Sequence, residues 1–118
     1  MTIEELLTAL KRRDRNAFIY YDFCDCAPAD VDSWRGAYSL PAIGWRPPGK
    51  TVTVATVMRE LINSISRFHS GWKGGTYRFT ADQPLHVDNV GESTCTMVVD
   101  VVDRRSEVII CTAREEIS

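Results

Sequence analysis

Between positions 54 and 68, seven apolar residues recur at spacings of three and four: Val54, Val57, Met58, Leu61, Ile62, Ile65 and Phe68. That period lays one continuous stripe along an α-helix. Thr53 stands where an N-cap hydroxyl is needed, and Pro47-Pro48-Gly49 interrupts any regular element just before it. A helix with a single wide apolar stripe must cover another layer. The sequence on either side of it reads as strands, so that layer is a sheet.

The N-terminus carries a second, shorter helix. Thr2-Ile3-Glu4-Glu5 has the form of a capping box, with a hydroxyl at the N-cap and a glutamate three residues on. Ile3, Leu6, Leu7 and Leu10 keep helical spacing, and Lys11, Arg12 and Arg13 suit the negative end of the helix dipole. This predicts a helix over residues 3–13, packed beside the second helix or against a partner chain. Residues 17–24 are rich in aromatic and β-branched side chains and read as a strand. Residues 25–35 read as a loop, holding Pro28 and the acids Asp25, Asp30 and Asp32. Residues 38–45 read as an irregular strand that Pro41 confines to an edge or a bulge. Strands are expected again over 76–80, 85–88, 94–102 and 107–112, with 103–106 as the turn of a closing hairpin. Residues 97–102 and 108–110 are partly apolar on both faces, which marks central strands. The expected architecture is α+β. It has a mainly antiparallel sheet of five or six strands, one long amphipathic helix packed on a face, and a short N-terminal helix.

With 118 residues and no repeat or linker, the chain reads as one domain, 1–118. At 44% hydrophobic and 25% charged residues it has an ordinary globular composition. A net charge of −2 gives no overall basic field for direct nucleic-acid binding. It is also far from the dense acidity of a DNA mimic. No apolar run is long enough to span a membrane, and the polar, acidic start shows no signal-peptide pattern. The expectation is a cytoplasmic protein whose four cysteines, Cys24, Cys26, Cys95 and Cys111, are free thiols. Cys24 and Cys26 would share one strand face, but a single Cys-x-Cys pair is only half of a usual zinc site. No metal or cofactor is expected.

One motif matches a nucleotide-hydrolase pattern. Gly44-Trp45-Arg46-Pro47-Pro48-Gly49-Lys50-Thr51 satisfies G-x-x-x-x-G-K-[ST]. That loop works by aiming successive backbone N–H groups at phosphate oxygens, and two prolines have none to offer. His69 and His86 stand in no nucleophile motif, and His69 reads as a surface residue at the end of the long helix. The acids Asp25, Asp30 and Asp32 lack calcium-loop spacing. The sequence therefore does not read as that of an enzyme.

Two segments stand apart. Residues 32–38 (Asp-Ser-Trp-Arg-Gly-Ala-Tyr) and 71–77 (Gly-Trp-Lys-Gly-Gly-Thr-Tyr) each combine tryptophan, a cation, glycine and tyrosine. Gly71 suits a helix C-cap, which leaves Gly74 and Gly75 for another purpose. As a ligand pocket, Trp34, Tyr38, Trp72 and Tyr77 would stack on a planar group. Arg35 and Lys73 would hold anionic oxygens, and the Gly74 and Gly75 amides would add donors. The same residues also suit a structural role, with tryptophans filling the end of the core, Arg35 paired to a loop aspartate and glycines turning corners.

On these residues the chain resembles a family of small, mostly uncharacterised bacteriophage and prophage proteins. The matching stretches are Tyr21-Asp22-Phe23, the two tryptophan segments, Ala42-Ile43-Gly44, the helix from Thr53, and residues 89–96. The helix followed by Gly-Trp-Lys-Gly and a strand is also similar to phage proteins that sequester nucleotide signals of the host Thoeris defence. The resemblance implies a viral protein acting in the host cytoplasm. Its expected role is to antagonise defence by binding a small nucleotide-like ligand without catalysis. The alternatives are a protein–protein inhibitor of a host defence complex, as anti-CRISPR proteins are, and third a nucleotide-hydrolysing enzyme. A small domain can complete a pocket across a subunit contact, so a homo-oligomer is compatible with the first reading.

Overall fold

The computed structural model describes residues 1–34, 37–66, 69–70, 76–87 and 95–115. Two helices, α1 (Ile3–Lys11) and α2 (Val54–Ser66), accompany eight strands. Six strands form the main sheet: β1 (Ile19–Tyr21), β2 (Pro28–Trp34), β3 (Ala37–Trp45), β6 (His86–Val87), β7 (Cys95–Arg104) and β8 (Glu107–Glu115). Their order across the sheet is β1-β8-β7-β6-β3-β2. The remaining two, β4 (His69–Ser70) and β5 (Thr76–Tyr77), pair with each other as a separate antiparallel ribbon.

The α+β class holds, but the sheet is mixed and not mainly antiparallel. β1 runs parallel to β8, and β3 runs parallel to β6, while β2–β3, β6–β7 and β7–β8 are antiparallel. The reason lies in the connections. Between β3 and β6 the chain makes a crossover containing α2, and a crossover of that length is what parallel neighbours require. As expected, β7 and β8 are central, and their hairpin closes the chain through Arg105, which adopts a left-handed φ of 58°.

β2 replaces an expected loop. Val31 is buried while Asp30 and Asp32 on either side of it are exposed, an alternation of period two. β2 is one of the two edge strands, where charged side chains discourage further pairing. Pro41 sits in β3 beyond the two residues, Ala42 and Ile43, that pair with β6. The β2 register shifts just past it, between Ser33 and Trp34. Pro41 is matched with Ser33 of β2 but not with β6, so the proline sits where only one side of β3 is paired.

α1 forms as its sequence directs. The Thr2 hydroxyl accepts from Glu5 N at 3.1 Å, and the Glu5 carboxylate accepts from Thr2 N at 2.9 Å. Ile3, Leu6, Leu7 and Leu10 are buried, and α1 packs against α2 and β7. α2 has 13 residues, shorter than the long helix expected. In its last turns Ser64 Oγ donates to Leu61 O and Ser66 Oγ to Ile62 O, side-chain bonds that compete with helix propagation. Its buried line is Val54, Val57, Leu61 and Ser64. Ile62 is 45% exposed, so the covered stripe is narrower than the apolar one. His69, expected at the helix end, pairs with Tyr77 in the β4–β5 ribbon, and residues 67–68 and the side chain of His69 lie outside what the structure describes. Gly71, expected as a cap, lies outside the described residues.

The first strand is also shorter than expected. Residues 22–25 bend away after Tyr21, bringing the Cα atoms of Cys24 and Cys26 to 5.1 Å. Residues two apart in an extended strand are about 6.6 Å apart, at the upper end of the disulfide range, and the bend brings the pair well inside it. The two sulfurs are joined in a disulfide, correcting the expectation of free thiols at these positions.

Candidate functional site

The strand pairing gives both tryptophan segments a common setting. Trp34 is the last residue of β2 and is matched with Ala37 at the start of β3. Ser70 and Thr76 are matched at the inner end of the β4–β5 ribbon, with His69 opposite Tyr77. Each segment is therefore flanked by two antiparallel strands. Tyr38 belongs to β3 and Tyr77 to β5. Arg35, Trp72, Lys73, Gly74 and Gly75 lie outside the described residues.

Three shallow clefts stand out among the described side chains; one takes in Gly49, Lys50 and Thr51 of the phosphate-loop pattern, and the other two were not marked by the sequence. The first, of about 350 Å³, is lined by Tyr20, Asp25, Gly49, Lys50, Thr51, Arg104 and Glu107. It joins the turn after β3 to the β7–β8 hairpin. Tyr20 reaches it because it alternates with the buried Ile19 and Tyr21 along β1. A second, of about 360 Å³, lies against α2 between Arg15, Met58, Arg59 and Ile62. A third, of about 310 Å³, lies between the end of α1 and the hairpin, where Arg12, Arg13 and Arg105 meet Asp14, Asp103 and Glu107.

The Gly44–Thr51 motif is distributed differently from a phosphate loop. Gly44 and Trp45 still belong to β3, and α2 starts only at Val54. Arg46 N donates to Ala27 O at 2.8 Å and Lys50 N to Pro47 O at 3.4 Å. Those two amides are spent within the protein, and Pro47 and Pro48 have none. Gly49 turns the chain with φ of 94° and nothing near its Cα side, a conformation that favours glycine.

Two polar features lie where β1 ends beside β8. Asp22 accepts from Thr112 N at 2.9 Å and from Thr112 Oγ1 at 2.7 Å, extending the β1–β8 pairing by one step. Beside it, burial together with the negative charges of Asp22 and Asp100 pushes the Cys111 thiol above its ordinary range. Cys111 is thus a protonated, weakly nucleophilic thiol at neutral pH. The disulfide leaves neither Cys24 nor Cys26 as a thiolate able to bind a metal.

No family model, curated protein or solved structure matches this chain.

Proposed function

We propose that this chain is a phage-encoded antagonist of host defence that binds a small nucleotide-like ligand without altering it. The observation that supports the reading is the shared setting of the two tryptophan segments. Each is held between paired antiparallel strands, at Trp34–Ala37 and at Ser70–Thr76. Short connections presented by a rigid scaffold are where binding residues concentrate. In this reading Trp34, Tyr38, Trp72 and Tyr77 stack on the planar part of the ligand. Arg35, Lys73 and the amides of Gly74 and Gly75 take its anionic part.

Calorimetric titration with cyclic and linear nucleotides, followed by mass analysis of the recovered ligand, tests this. The expected result is saturable binding with the ligand intact, weakened by about 1–3 kcal/mol in Trp72→Ala. Binding unchanged in both Trp72→Ala and Trp34→Ala contradicts the stacking role, and a cleaved ligand contradicts the non-catalytic one.

A second reading, a protein–protein inhibitor, draws on a different surface. Val99 and Val102 of β7 are 46% and 41% exposed. Val102 lies opposite Ile109 in the β7–β8 ladder. A host protein recovered with the chain in stoichiometric amount, and lost in Val102→Glu, favours this reading over the first.

A further inference from the structure

The net charge of −2 conceals an uneven distribution. The three clefts are neighbours. The first and third share Glu107, and Arg12 and Arg15 on one short stretch link the third to the second. Arg15 O also accepts from Ala55 N at 3.0 Å, which ties that stretch to the start of α2. Together the clefts gather seven cations against four acids, a local excess of three in an acidic chain.

Much of that charge is uncommitted. Arg13 pairs with Asp103 and Arg104 with Glu107, both at 3.2 Å. Among the described residues, Arg12, Arg15, Lys50, Arg59 and Arg105 enter no ion pair. Two of the clefts also place cations beside a stacking or apolar surface. Tyr20 stands with Lys50 and Arg104, and Met58 and Ile62 stand with Arg15 and Arg59. Six of the seven cations are arginines, whose planar fork matches phosphate oxygens and stacks on rings.

We propose that this end of the molecule binds the phosphate backbone of a single-stranded nucleic acid. A polymer with regularly spaced phosphates can engage successive clefts, and its bases can lie on Tyr20 and on the Met58–Ile62 surface. An acidic protein surface would also satisfy the arginines, but its carboxylates are not spaced in a regular line as backbone phosphates are. None of the residues lining the clefts belongs to the tryptophan segments, and the proposal does not depend on the reading given to them.

Fluorescence anisotropy with a labelled single-stranded oligonucleotide of about 20 nucleotides, longer than most single-strand sites, tests the proposal. Wild-type protein should bind at about 50 mM salt and weaken steeply by about 200 mM. Arg12→Glu/Arg15→Glu/Arg105→Glu changes three exposed side chains and should weaken binding ~10-fold or more. The salt slope should fall by about 0.7 for each phosphate that is no longer neutralised. The milder triple change to Gln, with the melting temperature checked alongside, should move affinity in the same direction if the reversal unfolds the chain. No binding at the lower salt, or unchanged affinity in a folded triple variant, overturns the proposal. Polyglutamate competing as well as the oligonucleotide at equal charge also overturns it, assigning the surface to an acidic protein.

Discussion

α1 and α2 carry the same kind of apolar stripe and meet different fates. α1 buries every apolar residue that its spacing marks, Ile3, Leu6, Leu7 and Leu10. It is also tied at its start: Ile3 N donates to Gln83 O, Glu4 N to Ala81 O, and the terminal ammonium to Val98 O. α2 has the wider stripe, yet Ile62 stays exposed and a serine, Ser64, occupies the buried line. Periodicity says where a helix can bury surface. The neighbours decide how much of that stripe is covered, and for α2 they are α1 and β2.

This contrast can be broken by mutation. Leu6→Ala in α1 and Leu61→Ala in α2 both remove fully buried side chains and should each cost about 2–5 kcal/mol in denaturant unfolding. Ile62→Ala should cost well under 1 kcal/mol, as surface changes usually do. A loss at Ile62 equal to that at Leu61 would mean that the outer face of α2 is covered in solution.

The disulfide should matter less than the core. It closes a loop of three residues, Cys24 to Cys26, for which the chain-entropy relation gives about 1.6 kcal/mol. Reduction with dithiothreitol, followed by urea unfolding, should show a loss near that size. A collapse of the fold on reduction would show that the bend at 22–25 organises far more than its own loop.

The cap of α1 gives a further contrast, because α2 has no acid in its first turn. Hydrogen bonds from the Thr2 backbone and hydroxyl hold the Glu5 carboxyl below its usual range. A depressed carboxyl stabilises the fold above its unfolded value, and that contribution is lost as pH falls through the folded one. Thr2→Ala keeps the larger backbone bond and removes the hydroxyl's share, so it should only partly flatten the acid limb of the stability curve below about pH 4.5, alongside a general capping loss of about 1 kcal/mol. An acid limb identical to wild type would contradict the hydroxyl's part in holding the Glu5 carboxyl down.

The smallest effect concerns reactivity. Cys111 should be alkylated by iodoacetamide with a pH profile displaced above that of an ordinary thiol. Asp100→Asn should move the profile down, because it removes one of the negative charges that disfavour the thiolate. A profile unmoved by Asp100→Asn would leave burial and the Asp22 charge as the causes.

The parts of the fold legible in the sequence were those fixed by local chemistry. The Thr2–Glu5 box, the Thr53 cap, whose hydroxyl accepts from Thr56 N, and the β7–β8 hairpin are set by residues near one another in the chain. The parallel pairings were not legible, since Ile19 meets Val108 and Ala42 meets His86 across long separations. β2 was hidden because its acids look like a loop, although an outer strand tolerates them on its exposed side. The disulfide depended on a bend that strand-like composition does not announce. Of the candidate site, the sequence marked the tryptophan segments but not their common setting between paired strands. The basic end is not legible in the sequence because Arg12, Arg15, Lys50, Arg59 and Arg105 are scattered along the chain and meet only in the fold.

The most direct test of the proposed role is thermal unfolding of the purified protein against a panel of cyclic and linear nucleotides. A ligand present at about one hundred times its Kd should add roughly 2.7 kcal/mol of stability. The account predicts such a shift for at least one nucleotide, recovered intact, that is lost in Trp72→Ala and kept in Arg12→Glu/Arg15→Glu/Arg105→Glu. A panel in which no nucleotide moves the transition would contradict it.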